Sequence, residues 1–374
     1  MLTAYKNILI GALAFCSLLC FAVLSTAQAA DYFTIEELYK IHPEEKSKAE
    51  KFNARVKGDA PALSIKPLNF SVAIVYPGEQ ISDYWRRSSK SFKARLEQYG
   101  IEPQIHSFYV KPTASLREQN IAFNKALAKK PDFLIFTLDA LRHKRMIEPI
   151  LITDKPALIL QNITTPIKAW EDKQPLMYIG FDHVTGSTIL AQYFAKKTHG
   201  NGSYAVLLPG PGYLSEVRGK TFISYMDNNT KLKLVSVYQT GIDKEKARLA
   251  TLAILDKNPD IDFIYTCATD IALGAIEALR EKDMMEKVMV NGWGGGSSEL
   301  KAIQNGEMDV TVMRINDDNG AAMADAVILK LLGESKNLPL VFSGRFELIE
   351  RGISPQRLDY LKEKSFRYSG ITKE

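Results

Sequence analysis

Cysteine is scarce in this chain: there are three in 374 residues, and Cys16 and Cys20 both fall within the first thirty. If that segment is removed only Cys267 survives, so no intramolecular disulfide can form and the mature fold must be held by core burial. A lone thiol ending the apolar stretch Asp262-Phe263-Ile264-Tyr265-Thr266-Cys267 reads as a small buried hydrophobe. Blocks of like charge are missing too. The 48 basic and 43 acidic side chains are spread without long single-sign runs, which argues against nucleic acid, a partner that selects concentrated basic patches. Histidine is sparse: His106, His143, His183 and His199 lack metal-ligand spacing, and His42 lies in a separate N-terminal stretch. Ser215 and Ser297 sit in no nucleophile elbow, and neither a Walker lysine pattern nor a spaced dinucleotide fingerprint occurs. These absences leave no catalytic constellation, so no enzyme, metal or cofactor is expected.

What is present begins with an address. Lys6 precedes an almost purely apolar run from Ile8 to Leu24, and Ala27-Gln28-Ala29 supplies the small-x-small pattern of a cleavage site. This predicts an export signal over residues 1–29, a periplasmic location and no membrane insertion after cleavage. A transmembrane anchor is the alternative, but the run is short for roughly 30 Å of hydrocarbon. Lipidation of Cys16 or Cys20 is disfavoured by Phe15 and Leu19, where processing wants a small residue. About 345 residues would then remain, enough for two domains.

Short apolar runs alternate with helix-period segments. Strands are expected at Phe70–Tyr76, Phe133–Thr137, Ala157–Gln161, Tyr204–Leu208, Phe263–Cys267, Val288–Asn291 and Val310–Met313. Helical patterns occupy Ser89–Tyr99, Ser115–Ala128, Gly186–Lys197, Ile242–Leu255 and Ile271–Glu281. Continuous apolar strands between amphipathic helices imply parallel sheets covered on both faces. The order repeats on either side of a connection near Gly180-Phe181-Asp182, so the expected class is α/β with two doubly wound lobes. Residues 30–68 stand apart as a helical extension whose charges read as a solvated face, with Pro61–Pro67 as a linker.

In open parallel sheets ligands sit outside the carboxyl ends of the strands. After the first strand come Gln80, Ser82 and Trp85, with Ser82 or Asp83 able to cap the next helix. Trp85 could wall a ligand or serve lobe packing. Thr137 and Asp139 end the next strand, and Asp139 could simply cap the helix near Arg142. Asn162 offers an amide that donates and accepts, with turn stabilisation as the competing role. Arg218 lies on the helix after Gly210-Pro211-Gly212, where a surface charge is the commonplace reading. Asn291-Gly292-Trp293-Gly294-Gly295-Gly296 spends glycines around one indole without supplying packing, which suits close backbone approach to a cavity. Arg314 directly follows the strand ending at Met313.

Taken together, these motifs resemble the ribose-type periplasmic binding proteins and, more narrowly, the LuxP group of periplasmic autoinducer-2 receptors. The resemblance is carried by Val75 to Trp85, Ile135 to Asp139, Leu160 to Pro166, Gly180 to His183, Asn291 to Gly296 and Val312 to Arg314. It implies three crossovers, with lobes over 69–182 plus 315–343 and 183–314 plus 344–374. It also implies first-lobe ligand contacts from Gln80, Ser82, Trp85 and Asn162, second-lobe contacts from Arg218 and Trp293, and Arg314 beside the hinge. Thr137 and Thr269 would offer backbone groups. The implied ligand is a furanosyl borate diester bearing one negative charge, boron entering only as part of it. The implied partner is a membrane-bound hybrid sensor histidine kinase. Sugar binders of this architecture place an acid and a glutamine where this chain has Gly294 and Arg314. That exchange suits an anionic ring, each charged hydrogen bond contributing about 1.5–3 kcal/mol. Pro209-Gly210-Pro211 departs from the narrower group and puts the angle of Arg218 in question. A sugar or unborated-signal receptor feeding an importer is the alternative.

Overall fold

The computed structural model describes residues 31–63, 69–112, 114–138 and 143–370. The expected signal over 1–29, most of the Pro61–Pro67 linker, Asp139 and Arg142 lie outside the described residues.

Two six-stranded sheets carry the chain. In the first, the order is β11-β5-β4-β3-β1-β2, and every neighbour is parallel. Its strands are β1 (Ser71–Tyr76), β2 (Gln104–Tyr109), β3 (Phe133–Thr137), β4 (Ala157–Gln161), β5 (Met177–Phe181) and β11 (Val341–Gly344). The second has the order β12-β10-β9-β8-β6-β7, with only β12 antiparallel to its neighbour. It comprises β6 (Ser203–Leu208), β7 (Lys233–Gln239), β8 (Phe263–Thr266), β9 (Met289–Gly294), β10 (Val310–Arg314) and β12 (Phe346–Glu350). β3, β4 and β5 are buried at every position, as parallel strands covered on both faces must be. The edge strands β2 and β7 are only half covered, and their polar residues hid them from an apolar-run reading. Gly180 and Phe181, expected near a connection, are the last two residues of β5.

The chain passes between sheets three times. Phe181 ends β5 and Asp182 caps α6 (His183–Lys197), its carboxylate accepting from Val184 N at 3.0 Å. After β10 the chain returns through α11 (Asp317–Leu331), whose described residues are almost all buried against α3 (Tyr84–Gln98). Arg345 alone separates β11 from β12. Apolar side chains form a core on each face of each sheet.

The extension supplies α1 (Ile35–Ile41) and α2 (Pro43–Lys57). A capping box between Thr34 and Glu37 starts α1, while Leu38, Phe52 and Val56 enter first-sheet cores. Not all of its charges are solvated, contrary to expectation. Glu45 is buried and accepts from Leu340 N, and Arg55 lies 3.6 Å from the buried Asp325 carboxylate. At the other terminus, α12 (Pro355–Ser365) packs on the second sheet, and the chain then returns to the first lobe. There Tyr368 N and Ser369 N both donate to Asp317. Among the described residues no helix is long and apolar enough to cross a membrane.

Candidate functional site

Parallel registers bring the strand ends to one level in each sheet, Thr137 beside Gln161 and Gly294 beside Met313. Between the sheets these ends line a partly open cavity of about 80 Å³. Gln80, Ser82, Trp85, Thr137, Asn162, Arg218, Thr269, Trp293 and Arg314 all line it. Trp85 and Thr269 stand in the first turns of α3 and α9 (Thr269–Glu281), so two helix N-termini add positive potential there.

Several of these side chains are already partly committed. Gln80 Nε2 donates to Pro77 O at 2.9 Å, which shapes its own loop. Thr269 gives its hydroxyl to Glu299 at 2.6 Å, leaving its backbone for other contacts. Trp85 serves both expected roles, lining the cavity while packing 4.7 Å from the Tyr76 ring. Asn162 adopts a left-handed φ of 66° and donates its backbone N–H to Ile179 O at 2.8 Å. That geometry explains an asparagine there. It does not explain Asn162 Oδ1, which is buried and has no hydrogen-bond partner among the described residues.

The arginines are not surface charges. Arg218 lies in a π-helical stretch, Ser215–Lys220, that leads into α7 (Thr221–Asn229); such turns re-aim side chains at functional positions. Its Nε donates to His183 Nδ1 at 3.0 Å and Nη1 to Cys267 O at 2.7 Å, with the guanidinium 3.5 Å from the Trp293 ring centre. Arg314 is 6% exposed, its guanidinium 4.2 Å from the Tyr84 ring and 5.1 Å from that of Trp293. Among the described residues neither arginine forms an ion pair, and the Arg314 guanidinium donates no hydrogen bond. Burial, then repulsion from Arg314, pulls the Arg218 pKa down to about 9. Burial lowers that of Arg314 as well. Two cations share this space, and no described residue forms an ion pair with either, although the more distant carboxylates of Glu299 and Asp83 partly offset the charge on Arg314.

The glycine-rich loop has a packing role that composition did not reveal. Gly295 sits at a φ of 64°, where an added Cβ would stand 2.4 Å from Met313 Cα. Gly186 lets the Trp293 indole lie against α6, where a Cβ would meet its ring at 2.8 Å. Buried Glu299 then gathers Trp293 N, Gly295 N, Thr269 and Thr311 at 2.6–3.0 Å. Glu299, His183 and Tyr84 were not singled out as site residues. Tyr84 and His183 stood inside the motifs read for other reasons, whereas no local pattern marks Glu299.

Asp83 stands at the N-cap of α3, yet its side chain does not cap that helix. It reaches across the cleft, accepting from the Ser297 hydroxyl at 2.8 Å and from Arg87 at 2.6 Å. Asp270, from the second lobe, reaches the other way to Ile81 N at 3.0 Å and Ser82 N at 3.3 Å. Cys267 is buried, and burial pushes its thiol up to about 12. The Pro209-Gly210-Pro211 loop is tied back by Ser215, which accepts from Gly210 N at 3.2 Å.

A family model described as periplasmic binding protein domain matches residues 72–335. The ribose import binding protein of Escherichia coli (strain K12) is 28% identical over 159 residues, 42% of this chain and 53% of that protein. The D-allose-binding periplasmic protein of the same strain is 27% identical over 180 residues, 46% and 56% respectively. The chain thus spans about half the length of the curated relatives it matches. Among solved structures, a D-allose-bound solute binding protein from Actinobacillus succinogenes 130z superposes with a TM-score of 0.66 at 20% identity, covering 81% of this chain and all of that one. An α-D-tagatopyranose-bound one from Agrobacterium vitis gives 0.68 at 18%, over 78% and 98%.

Proposed function

Since the chain belongs to the periplasmic binding protein domain family, we propose that it is a periplasmic receptor whose lobes close on a small, hydroxyl-rich anion. The reading favoured here is a furanosyl borate diester, the borated form of autoinducer-2. The observation that carries it is the Arg314 guanidinium, buried with no ion pair and no hydrogen bond among the described residues, beside a second buried arginine. A buried charge needs a partner, and a borate bearing one negative charge would supply it between two guanidinium forks. Asn162 Oδ1 would then accept from a ring hydroxyl. Thr137 and Thr269 would contribute backbone groups, with Gln80 and Ser82 holding the opposite rim and Trp85 and Trp293 walling the ring.

Closure would be a population shift, since ligand touching both lobes binds the closed form best. The closed surface would be what a membrane-bound hybrid sensor kinase reads. That this fold docks protein partners is supported by a solved neighbour described as an XylFII-LytSN complex.

A second reading has its own support. The curated relatives and structural neighbours are described as binding ribose, allose and tagatopyranose, so the chain could deliver a neutral sugar to an importer. Titration calorimetry with ribose, and with autoinducer-2 in the presence and absence of borate, separates the two. Heat that requires borate supports the receptor reading. Tight binding of ribose alone transfers the assignment to sugar import. Boron NMR on ligand released from purified protein gives an independent answer.

A further inference from the structure

Asn162 and Arg218 come from opposite lobes, and one side chain touches both. His183 opens α6 immediately after the first passage between sheets. Its Nδ1 stands 3.0 Å from Arg218 Nε, and its Nε2 stands 3.0 Å from the Asn162 carbonyl oxygen. An arginine Nε–H can only donate, so Nδ1 must carry a lone pair. A carbonyl can only accept, so Nε2 must carry the proton. One neutral tautomer satisfies both neighbours, and protonation would break the contact with Arg218. The ring plane is held as well: Trp293 packs at 5.3 Å on a 39° tilt and Tyr213 at 5.6 Å edge-on.

We propose that His183 is a positioning residue for ligand binding, fixing the Arg218 guanidinium of one lobe against the Asn162 turn of the other. With Nε held by His183 and Nη1 by Cys267 O, Arg218 has little rotational freedom left to lose when an anion arrives. A donor pre-set in this way binds with a smaller ordering cost. The inference rests on the reading of this cavity as the ligand site. Its first two tests, however, need no ligand.

Long-range proton–nitrogen NMR of the wild-type imidazole should show the Nε2–H tautomer; an Nδ1–H tautomer overturns the proposal. In His183→Phe, which keeps a ring but neither polar contact, the Arg218 Nε–H should exchange with solvent at least tenfold faster. Unchanged protection overturns the proposal. Calorimetry with autoinducer-2 plus borate should then show at least a tenfold loss of affinity in His183→Phe. His183→Gln, able to accept and donate, should recover part of it. Equal affinity in the Phe variant and wild type counts against positioning. If wild type binds neither that probe nor ribose, the ligand reading fails while the two NMR results still decide the contact. Should the Phe variant not fold, the wild-type tautomer and the Gln variant carry the test.

Discussion

Arg95 and Arg314 are both buried in this protein, yet their surroundings are opposite. Behind the first sheet, Arg95 Nε and Nη2 each meet the Asp325 carboxylate at 3.0 Å, while Gly58 O, Arg55 O and Tyr368 accept its remaining donors. In the cleft, the Arg314 guanidinium has aromatic faces around it and no acceptor among the described residues. The saturated ion pair ties α3 to α11 and anchors the N-terminal extension. Ring contacts and the more distant Glu299 and Asp83 offset only part of the Arg314 desolvation, a cost that a bound anion would reduce further. Burial alone therefore does not separate a structural charge from a binding one. The separation lies in whether the protein itself completes the hydrogen bonds.

That contrast can be broken experimentally. The largest effect is expected from Asp325→Ala, which strands Arg95 and should lower stability by about 3–5 kcal/mol. Chemical denaturation measures this, and a loss under roughly 1 kcal/mol would put the two arginines in the same class. Arg314→Met should do the reverse, keeping or raising the unfolding midpoint while weakening binding of the borated ligand by about 1.5–3 kcal/mol, or roughly ten- to a hundredfold. Arg218→Ala should weaken binding to a similar extent. If affinity survives both single changes, the charge argument fails.

Acidification sharpens the comparison further. Burial, followed by the nearby Arg218 charge, holds His183 well below its ordinary 6.5. Below about pH 6.5 the unfolded chain binds a proton that the folded chain refuses, so stability falls with pH. The slope from this one group is at most about 1.4 kcal/mol per pH unit. Stability curves of wild type and His183→Phe should therefore approach one another as pH drops from about 7 to about 5, and parallel curves would refute the coupling. The smallest effect should come from Asp270→Asn, which weakens the bonds to Ile81 N and Ser82 N across the cleft by about 1 kcal/mol. Small-angle scattering of the ligand-free protein should register a shift toward more open forms.

Legibility followed locality. Strands β1, β3 and β4 agree with the apolar runs to within a residue, as covered parallel strands often advertise themselves in composition, but the equally buried β5, whose Gly180 and Phe181 read as a connection, did not. The edge strands β2 and β7 did not, since half their side chains face outward. All nine expected site residues line one cavity; strand-end position pointed to residues such as Asn162, Trp293 and Arg314, whereas Thr269 and the role of Arg218 came from the family resemblance. Glu299 and the partnering of His183 were not, because their contacts come from segments that no spacing rule connects.

Composition and periodicity by themselves determined two parallel-sheet lobes and placed arginine, asparagine and tryptophan at the strand ends. Tertiary structure alone decided which charges are paired. Asp325 lies 230 positions from the arginine it neutralises, while Arg314 finds no such partner among the described residues. Backbone pattern is set by neighbours along the chain, whereas charge balance depends on which distant groups packing brings within a few ångströms.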